Sequence, residues 1–271
     1  MAIQSSFGKL SFNEDFLGLR TATISDATAA NYGDVLLVPV SGDVALTPTV
    51  DESGGVQAFS GAAGANDGIA IVSAPMQPSG DGPIWCEGRF KVSITTDYQA
   101  FLGFQETVSL TETVNPFTLS GTTLTSNNGG QSVGFYYDTG ATTDDFRLHM
   151  SSDGTELTTA KVKNGFDAST TLGALGVRAG VTLTADEYMI FRVEIDPDGT
   201  CRGYFGRASM ATSGVGRGSA EGLTLVGTIE AGNIDETALL HPIMQLLEES
   251  TGDPTHEVDY FRGGGNRDWT A

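Results

Sequence analysis

Two carboxylates stand close together in the segment EIDPDG, where Glu194 and Asp196 are two residues apart. On a β-strand this spacing places both side chains on the same face. Glycoside hydrolysis uses such a pair when the carboxyl groups lie about 5–5.5 Å apart for retention, or about 6.5–9.5 Å apart for inversion. Here Pro197 follows at once, so the strand ends directly after the pair. We therefore interpret the two acids as a solvated outer face that enters a turn, and we predict no catalytic residues.

The other residues with metal or cofactor chemistry do not form a recognisable site. Asp196 and Asp198 could face a calcium ion, but calcium takes about six to eight oxygen ligands and the full calcium-loop pattern is absent. The histidines at 149, 241 and 256 show no metal-ligand spacing, and we expect His149 to lie on the surface. The glycines within 214–222 have neither dinucleotide nor Walker spacing. We predict no metal and no cofactor.

Cys86 and Cys201 are the only cysteines. Both fall on the inward face of strands that alternate polar and apolar side chains, so we predict buried free thiols rather than a disulfide. Free thiols imply synthesis in a reducing compartment. The N-terminal sequence MAIQSSFGKLSF has no basic region followed by an apolar stretch, so no signal peptide is expected. No segment approaches the roughly 18 consecutive apolar residues of a membrane-spanning helix.

Period-two alternation is the dominant pattern, and it predicts half-buried antiparallel strands. In GPIWCEGRFKVSIT, which begins at Gly82, an apolar set from Ile84 alternates with a polar set from Trp85. DYQAFLGFQE follows at once and is predicted to be its hairpin partner. Asp-Gly turns predict two further hairpins, around Asp198-Gly199 and Asp153-Gly154. Strands are also predicted at DVLLVPV, DGIAIVSA, QSVGFYYDT, LTLVGTIE and HEVDYFR, whereas SGGVQAFSGAAGANDG is predicted to be a long exposed loop or edge.

One segment, residues 238–248, carries conflicting signals. Its apolar positions match a helical stripe. Pro242 lies inside it, however, and proline in a helix interior costs about 3 kcal/mol. Because the surrounding chain is strand-like, we predict a strand here as well.

The composition is glycine-rich and acidic, with 36 glycines in 271 residues and 14 basic against 34 acidic side chains, for a net charge of −20. Such a charge repels nucleic acid and anionic membranes, so we predict neither as a partner. About a dozen short strands, with turn signals every 8–12 residues or so, are typical of one β-sandwich.

Several segments, taken in order, resemble the concanavalin A-like jelly roll: FNEDFLG, GGVQAFSG, GPIWCEGRFKVS, FLGF, VGFYYDT, RVEIDPDGT, GYF and VDYFR. More narrowly, they resemble virion structural proteins of tailed bacteriophages, over most of residues 7–262. The resemblance implies an all-β antiparallel sandwich at 9–262, between a short N-terminal arm at 1–8 and a Gly-rich tail at 263–271. Related β-glucanases carry Glu-x-Asp-x-x-Glu, and here Gly199 replaces the third acid.

The same resemblance implies a non-enzymatic protein exposed on a particle, often as a trimer. We expect a capsid decoration, or cement, protein that is made in the bacterial host cytoplasm, forms a homotrimer and bridges copies of the major capsid protein on the virion surface. The alternative is a lectin-like, carbohydrate-binding tail-fibre or adsorption module, and the third possibility is a glycoside hydrolase. Sugar sites on sandwiches use exposed aromatic side chains, so Trp85 and Tyr136 are the candidate sugar contacts. For the outward Trp85 we prefer the alternative that a crossing loop or a neighbouring subunit covers it.

The two ends of the sequence are the candidate intersubunit contacts. HEVDYFR is predicted to be the last strand, and Gly263–Gly265 then loosen the backbone. The terminal NRDWTA adds arginine and tryptophan, which are enriched at binding hot spots. In the N-terminal segment MAIQSSFGKL, the apolar side chains of Phe7 and Leu10 could anchor in a neighbour or could equally begin the first strand. We therefore predict intersubunit contacts at Arg262, Arg267, Trp269, Phe7 and Leu10.

Overall fold

In a computed structural model, the chain forms two large antiparallel sheets whose inner faces share one hydrophobic core. Apart from α1 (Pro78–Asp81), a single helical turn, the regular elements of the described residues are strands, and among these residues no helix is long and apolar enough to cross a bilayer. The structure describes residues 9–16, 21–26, 28–49, 55–61, 67–93, 96–109, 116–120, 123–127, 129–139, 145–157, 161–163, 170–171, 176–207, 223–248 and 255–266.

The strands in chain order are β1 (Lys9–Glu14), β2 (Ala22–Ile24), β3 (Ala30–Tyr32), β4 (Val35–Pro39), β5 (Val44–Pro48), β6 (Gln57–Ser60), β7 (Gly68–Val72), β8 (Ile84–Val92), β9 (Tyr98–Gln105), β10 (Phe117–Ser120), β11 (Thr123–Ser126), β12 (Ser132–Asp138), β13 (Arg147–Ser152), β14 (Thr155–Glu156), β15 (Lys161–Lys163), β16 (Thr170–Thr171), β17 (Val177–Arg178), β18 (Met189–Ile195), β19 (Cys201–Arg207), β20 (Thr224–Ile229), β21 (His241–Glu248) and β22 (Thr255–Asn266).

Within the described residues, the larger sheet, sheet A, has eleven strands in the order β16-β15-β20-β19-β18-β8-β22-β6-β5-β2, with β1 paired to the second half of β22. Sheet B has nine, in the order β14-β13-β12-β9-β21-β7-β4-β3, with β17 on β13. Strands β10 and β11 pair only with each other in a ladder and form a separate hairpin. The all-β antiparallel sandwich predicted from the sequence is confirmed.

The core between the sheets is built from the inward residues of the alternating strands. Phe191 lies at its centre, with its ring centroid 4.3–6.0 Å from those of Phe90, Phe135, Phe146 and Phe205. The two cysteines are buried in the same core and free, as predicted, and burial raises the pKa of both thiols.

Both Asp-Gly hairpins are confirmed. Strands β18 and β19 pair from Ile195 opposite Cys201, across the turn that contains Gly199. Strands β13 and β14 join through Asp153 and Gly154, whose φ values of 51° and 72° are those that a tight hairpin turn requires.

The predicted hairpin of β8 with β9 is wrong. Strand β8 pairs with β18 and β22 in sheet A, whereas β9 pairs with β12 and β21 in sheet B. The chain crosses from one sheet to the other between Val92 and Tyr98. Both strands bury one face in the same core, and alternation alone does not distinguish a strand's neighbour in its own sheet from a strand facing it.

The glycine- and serine-rich stretch at 53–68 is not an exposed loop throughout. It contains β6, an internal strand of sheet A between β22 and β5, in which Gln57 and Phe59 are fully buried. Residues 62–66 lie outside the described part of the chain.

The strand predicted within 238–248 is confirmed as β21, an internal strand of sheet B. Pro242 is its second residue, and pairing with β7 begins one residue later at Ile243. The Pro242 carbonyl accepts a hydrogen bond from the Ser73 amide at 3.0 Å. Proline is tolerated here because it stands at the start of the strand.

The glycine run near the C-terminus continues the last strand instead of loosening the backbone. Gly263 pairs with Phe12 on one side and Cys86 on the other. A Cβ on Gly263 would lie 2.4 Å from the Trp85 carbonyl oxygen and 2.5 Å from the Phe12 ring, so close packing requires glycine there. The predicted arm at 1–8 and residues 267–271 lie outside the described residues.

Candidate functional site

The outer surface of sheet A carries charged pairs that cross from strand to strand. We call the outward side chains of β8, β18, β19 and β22 the charged face. Its ion pairs are Lys91–Glu257 at 3.1 Å, Arg89–Asp259, Arg192–Glu87 at 3.3 Å, Arg262–Glu87 at 2.6 Å, Arg192–Glu194 at 2.6 Å and Arg202–Asp196 at 2.6 Å. The polar halves of the alternating sequences therefore meet as opposite charges on this face.

Glu87 is the centre of the charged face and is fully buried. Its Oε1 accepts hydrogen bonds from Arg262 Nη2 and Nε, at 2.6 and 3.1 Å, and from the Tyr260 hydroxyl at 2.8 Å. Its Oε2 accepts one from Arg192 Nη1 at 3.3 Å. A buried charge is tolerated when paired in this way. Arg262, one of the predicted intersubunit contacts, thus binds within its own chain.

Trp85 lies half-buried beside this network, on the polar side of its strand, as predicted. The Arg192 guanidinium carbon stands 4.1 Å from the centroid of its ring. That guanidinium is held in turn, because its Nε donates to Glu194 Oε1 at 2.6 Å and its Nη1 donates to Glu87. The indole therefore rests against an anchored cation instead of moving freely.

Tyrosines continue the pattern of aromatic rings next to cations. The Arg89 guanidinium lies 3.8 Å from the centroid of Tyr188, and that of Arg262 lies 4.7 Å from the centroid of Tyr260. Tyr204 is half-buried, and burial, with the nearby Glu194 carboxylate, raises its pKa to about 12. Burial likewise raises the pKa of Tyr260, so the phenols of Tyr204 and Tyr260 stay neutral at physiological pH.

The charged face is neutral overall, although the chain carries −20. Within the described part of the chain, the ion pairs of this face join five basic side chains, at 89, 91, 192, 202 and 262, to five acidic ones, at 87, 194, 196, 257 and 259. The opposite charges of this face therefore cancel within it, whereas the rest of the chain carries the net negative charge that repels polyanions.

The carboxylates that suggested hydrolysis are both engaged by arginine. Glu194 binds Arg192, and Asp196 binds Arg202. Asp198 accepts the Thr200 amide at 2.9 Å in the turn, and that hydrogen bond holds the pKa of its carboxyl below its ordinary value. Within the described residues, no group of three or more His, Cys, Asp or Glu side chains is arranged to hold a metal.

Tyr136, the other candidate sugar contact, is not on the surface. It points away from the core, but the β10–β11 hairpin covers it and leaves it 1% exposed. Phe117 of the hairpin lies with its ring centroid 5.4 Å from Tyr136, 5.4 Å from His149 and 6.0 Å from Phe101. His149 is likewise buried, so its predicted surface position is wrong for the same reason.

A row of polar side chains crosses the outer face of sheet B, two residues along the strands from the pair His149 and Gly134. We call the polar row the four residues His241, Gln105, Ser132 and Ser151, which stand in register on β21, β9, β12 and β13. Both amide atoms of Gln105, the Ser132 hydroxyl and both ring nitrogens of His149 are buried without a hydrogen-bond partner. Each such buried group costs about 1–3 kcal/mol. Of this group, only His149 was singled out from the sequence, and nothing local in the sequence shows that these side chains are covered.

Replacing His149 with glutamine should make the protein less sensitive to acid. Burial lowers the pKa of His149 to about 3. In the unfolded chain the pKa is about 6.5, so below that pH the unfolded state binds a proton that the folded state does not, and stability falls as the pH drops toward 3. At about pH 5.5 this amounts to about 1.4 kcal/mol relative to about pH 7.5.

Urea unfolding of both proteins at the two pH values measures the effect. The loss on acidification should be about 1.4 kcal/mol smaller in the His149→Gln variant. His256, whose pKa burial also lowers to about 3, leaves part of the acid sensitivity in place. Equal losses in the two proteins would contradict this account.

The remaining predicted contacts are not placed by the structure. Arg267, Trp269 and Phe7 lie outside the described residues. Leu10 belongs to β1, opposite Gly265, and its side chain is not described. Their intersubunit role stays a prediction.

No protein-family model matches the chain, and no curated protein matches it. Among solved structures, a protein of unknown function from Shewanella oneidensis MR-1 superposes with a TM-score of 0.56 at 12% identity, over 100% of this chain and 92% of that one. Peanut lectin gives 0.53 at 11%, over 95% and 97%. Lectin II from Ulex europaeus gives 0.51 at 10%, over 94% and 98%. None of the three is named as a virion protein. At these identities the likeness shows the fold alone, and the fold is the concanavalin A-like jelly roll.

Proposed function

We propose that the chain is a carbohydrate-binding, lectin-like module whose saccharide site is the charged face around Trp85. The observation that carries this proposal is the half-buried indole of Trp85, held by the Arg192 guanidinium at 4.1 Å. Two of the structural neighbours are lectins by name, which supports the class of function. Fold is a weak guide to function, so the proposal depends on the side chains of the site.

The chemistry of this face suits a neutral sugar. An aromatic ring offers an apolar surface for the C–H groups of a pyranose, while neighbouring polar groups bind its hydroxyls. Glu194 pairs with Trp85 across the strands and Arg202 with Glu194, so an acceptor and a donor continue outward from the indole. The face has no net charge, whereas the whole chain repels polyanions, so we assign neutral rather than acidic polysaccharides.

Replacing Trp85 with alanine should weaken binding of a neutral polysaccharide at least about tenfold, because aromatic anchors dominate binding energy. Affinity gel electrophoresis against galactomannan, xyloglucan and starch, with alginate as the acidic comparison, measures the effect. Trp269→Ala is the matched control, since it removes the chain's other tryptophan. Thermal unfolding of both variants checks that the fold is retained.

Two results would contradict the proposal of a saccharide site around Trp85. One is a wild-type protein that none of the neutral polysaccharides retards. The other is a Trp85→Ala variant that is retarded as strongly as the wild type.

Capsid decoration, expected from the resemblance, is our second proposal. The observation that favours it is the neutral face rich in arginine and tyrosine, residue types that are enriched at protein-binding hot spots. Light scattering of the purified chain, followed by mixing with shells that lack it, tests this role. A trimer that binds shells stoichiometrically supports decoration, and a monomer that ignores shells contradicts it.

A further inference from the structure

We propose that the β10–β11 hairpin is a displaceable cover over a second saccharide site, on the outer face of sheet B. This site is independent of the charged face, which lies on the other sheet. It would take a neutral, hydroxyl-rich ligand of oligosaccharide size. Three features support this assignment: a floor of bare backbone and aromatic rings on sheet B, the polar groups around that floor, and the hairpin that covers it.

The floor is a gap in the side chains of sheet B. Gly103 and Gly134 stand opposite each other on β9 and β12. A Cβ on Gly103 would lie 2.2 Å from the Val133 carbonyl oxygen and 2.5 Å from the Gly134 Cα. There is therefore no space for a side chain at Gly103. The rings of Phe101 and Tyr136, which also face each other, lie two residues further along the two strands. The result is bare backbone next to aromatic rings, over which Phe117 now packs.

The polar groups around the floor make no hydrogen bonds to one another, so they are free to bind a ligand. Gln105, Ser132 and His149 alternate with inward residues, so they point out of sheet B. Their amide, hydroxyl and imidazole atoms are buried and have no hydrogen-bond partner, and the His149 ring lies directly against Phe117 of the cover. Together they offer donors and acceptors without a net charge, which suits sugar hydroxyls and not an ionic ligand. A pyranose replacing the Phe117 ring would satisfy them while stacking on Tyr136.

The hairpin makes no strand pairing with sheet B among the described residues, so it can move away from the sheet as a unit. Its ladder runs from Phe117 opposite Ser126, and within the described chain neither strand joins a large sheet. It attaches through Phe117 and Leu124, which pack in the apolar cluster on the outer face of sheet B, and through Ser126. The Ser126 amide donates to Glu156, and its hydroxyl donates to Ser151 at 3.2 Å. A ligand opens such a cover only by binding the open form better. Groups that gain hydrogen bonds only in the open form supply that difference.

Two sets of variants test the proposal, both in a Trp85→Ala background that removes the first site. Phe117→Ala removes the plug, and we expect it to bind cellohexaose, maltohexaose or mannohexaose at least tenfold more tightly than Trp85→Ala alone, by titration calorimetry. Ser126→Cys with Ser151→Cys places two thiols where the hydroxyl oxygens are 3.2 Å apart. Once oxidised, this pair should bind at least tenfold more weakly than when reduced.

The control is Ser126→Ala with Ser151→Ala, which should show no redox dependence, because Cys86 and Cys201 are buried. Mass spectrometry establishes whether the engineered disulfide forms, and where it does not, Phe117→Ala decides alone. No gain of affinity in Phe117→Ala, or equal binding by the oxidised and reduced pair, would overturn the proposal. Failure of the proposed Trp85 site is a different result: the single Trp85→Ala variant would then bind neutral polysaccharides as tightly as the wild type.

Discussion

Replacing Glu87 with glutamine should lower the free energy of unfolding by about 3–5 kcal/mol, because it removes one partner from a buried ion pair. Glu87 is fully buried, and the side chains of Arg192 and Arg262 are only 3% and 12% exposed. Glutamine keeps the shape but not the charge, so two cations lose the carboxylate they share. Arg192 retains Glu194 as an ion-pair partner, whereas Arg262 has no second carboxylate among the described residues, so its charge is left uncompensated.

The matched control is Asp196→Asn, which breaks a pair of the same kind on the same sheet. The side chains of Asp196 and Arg202 are 27% and 32% exposed, so we expect a loss of about 1 kcal/mol or less. Urea unfolding at neutral pH measures both variants. If Glu87→Gln costs no more than Asp196→Asn, the carboxylate is not the centre of this network.

The strands and faces of the fold were predictable because alternation records burial directly. The inward set of β8 and the Asp-Gly turn between β18 and β19 are both where the sequence placed them. Register was not predictable. Glu87 faces Arg192 and Arg262, which are far away in the sequence, and no local pattern reports which residues of three strands come together.

At the candidate sites, too, the face that a side chain occupies was predictable from the sequence, whereas its surroundings were not. Trp85 was identified because its own strand shows which side it faces. Tyr136 was misjudged because its cover is the hairpin around Phe117, a separate segment with no pairing to β12. Alternation tells which face of a sheet a residue occupies, but exposure depends on what crosses that face. His149 was misjudged in the same way.

The glycine run at 263–265 shows that composition can mislead even within a strand. Three consecutive glycines usually predict a flexible backbone. Here the Phe12 ring occupies the space that a side chain at Gly263 would need. The signal was a packing requirement between β1 and β22, two strands at opposite ends of the sequence.

Phe191→Ala should be the most destabilising substitution in the core, with an expected loss of about 3–5 kcal/mol. Its ring lies next to Phe90 and Phe205 of sheet A, Phe135 of sheet B and Phe146, which directly precedes β13, so the cavity would open where the two sheets meet. A void there removes contacts from both layers, and close packing in an aromatic cluster leaves little room for collapse.

Leu239→Ala is the comparison, since Leu239 is also a large apolar residue but is 57% exposed. We expect its effect to stay within about 0.5 kcal/mol. Urea unfolding followed by tryptophan fluorescence and by circular dichroism measures both variants and checks that each transition is two-state. A Phe191→Ala variant as stable as Leu239→Ala would mean that the sheets are held together elsewhere. The predicted loss would instead show that this cluster contributes a large share of the free energy that holds sheets A and B together.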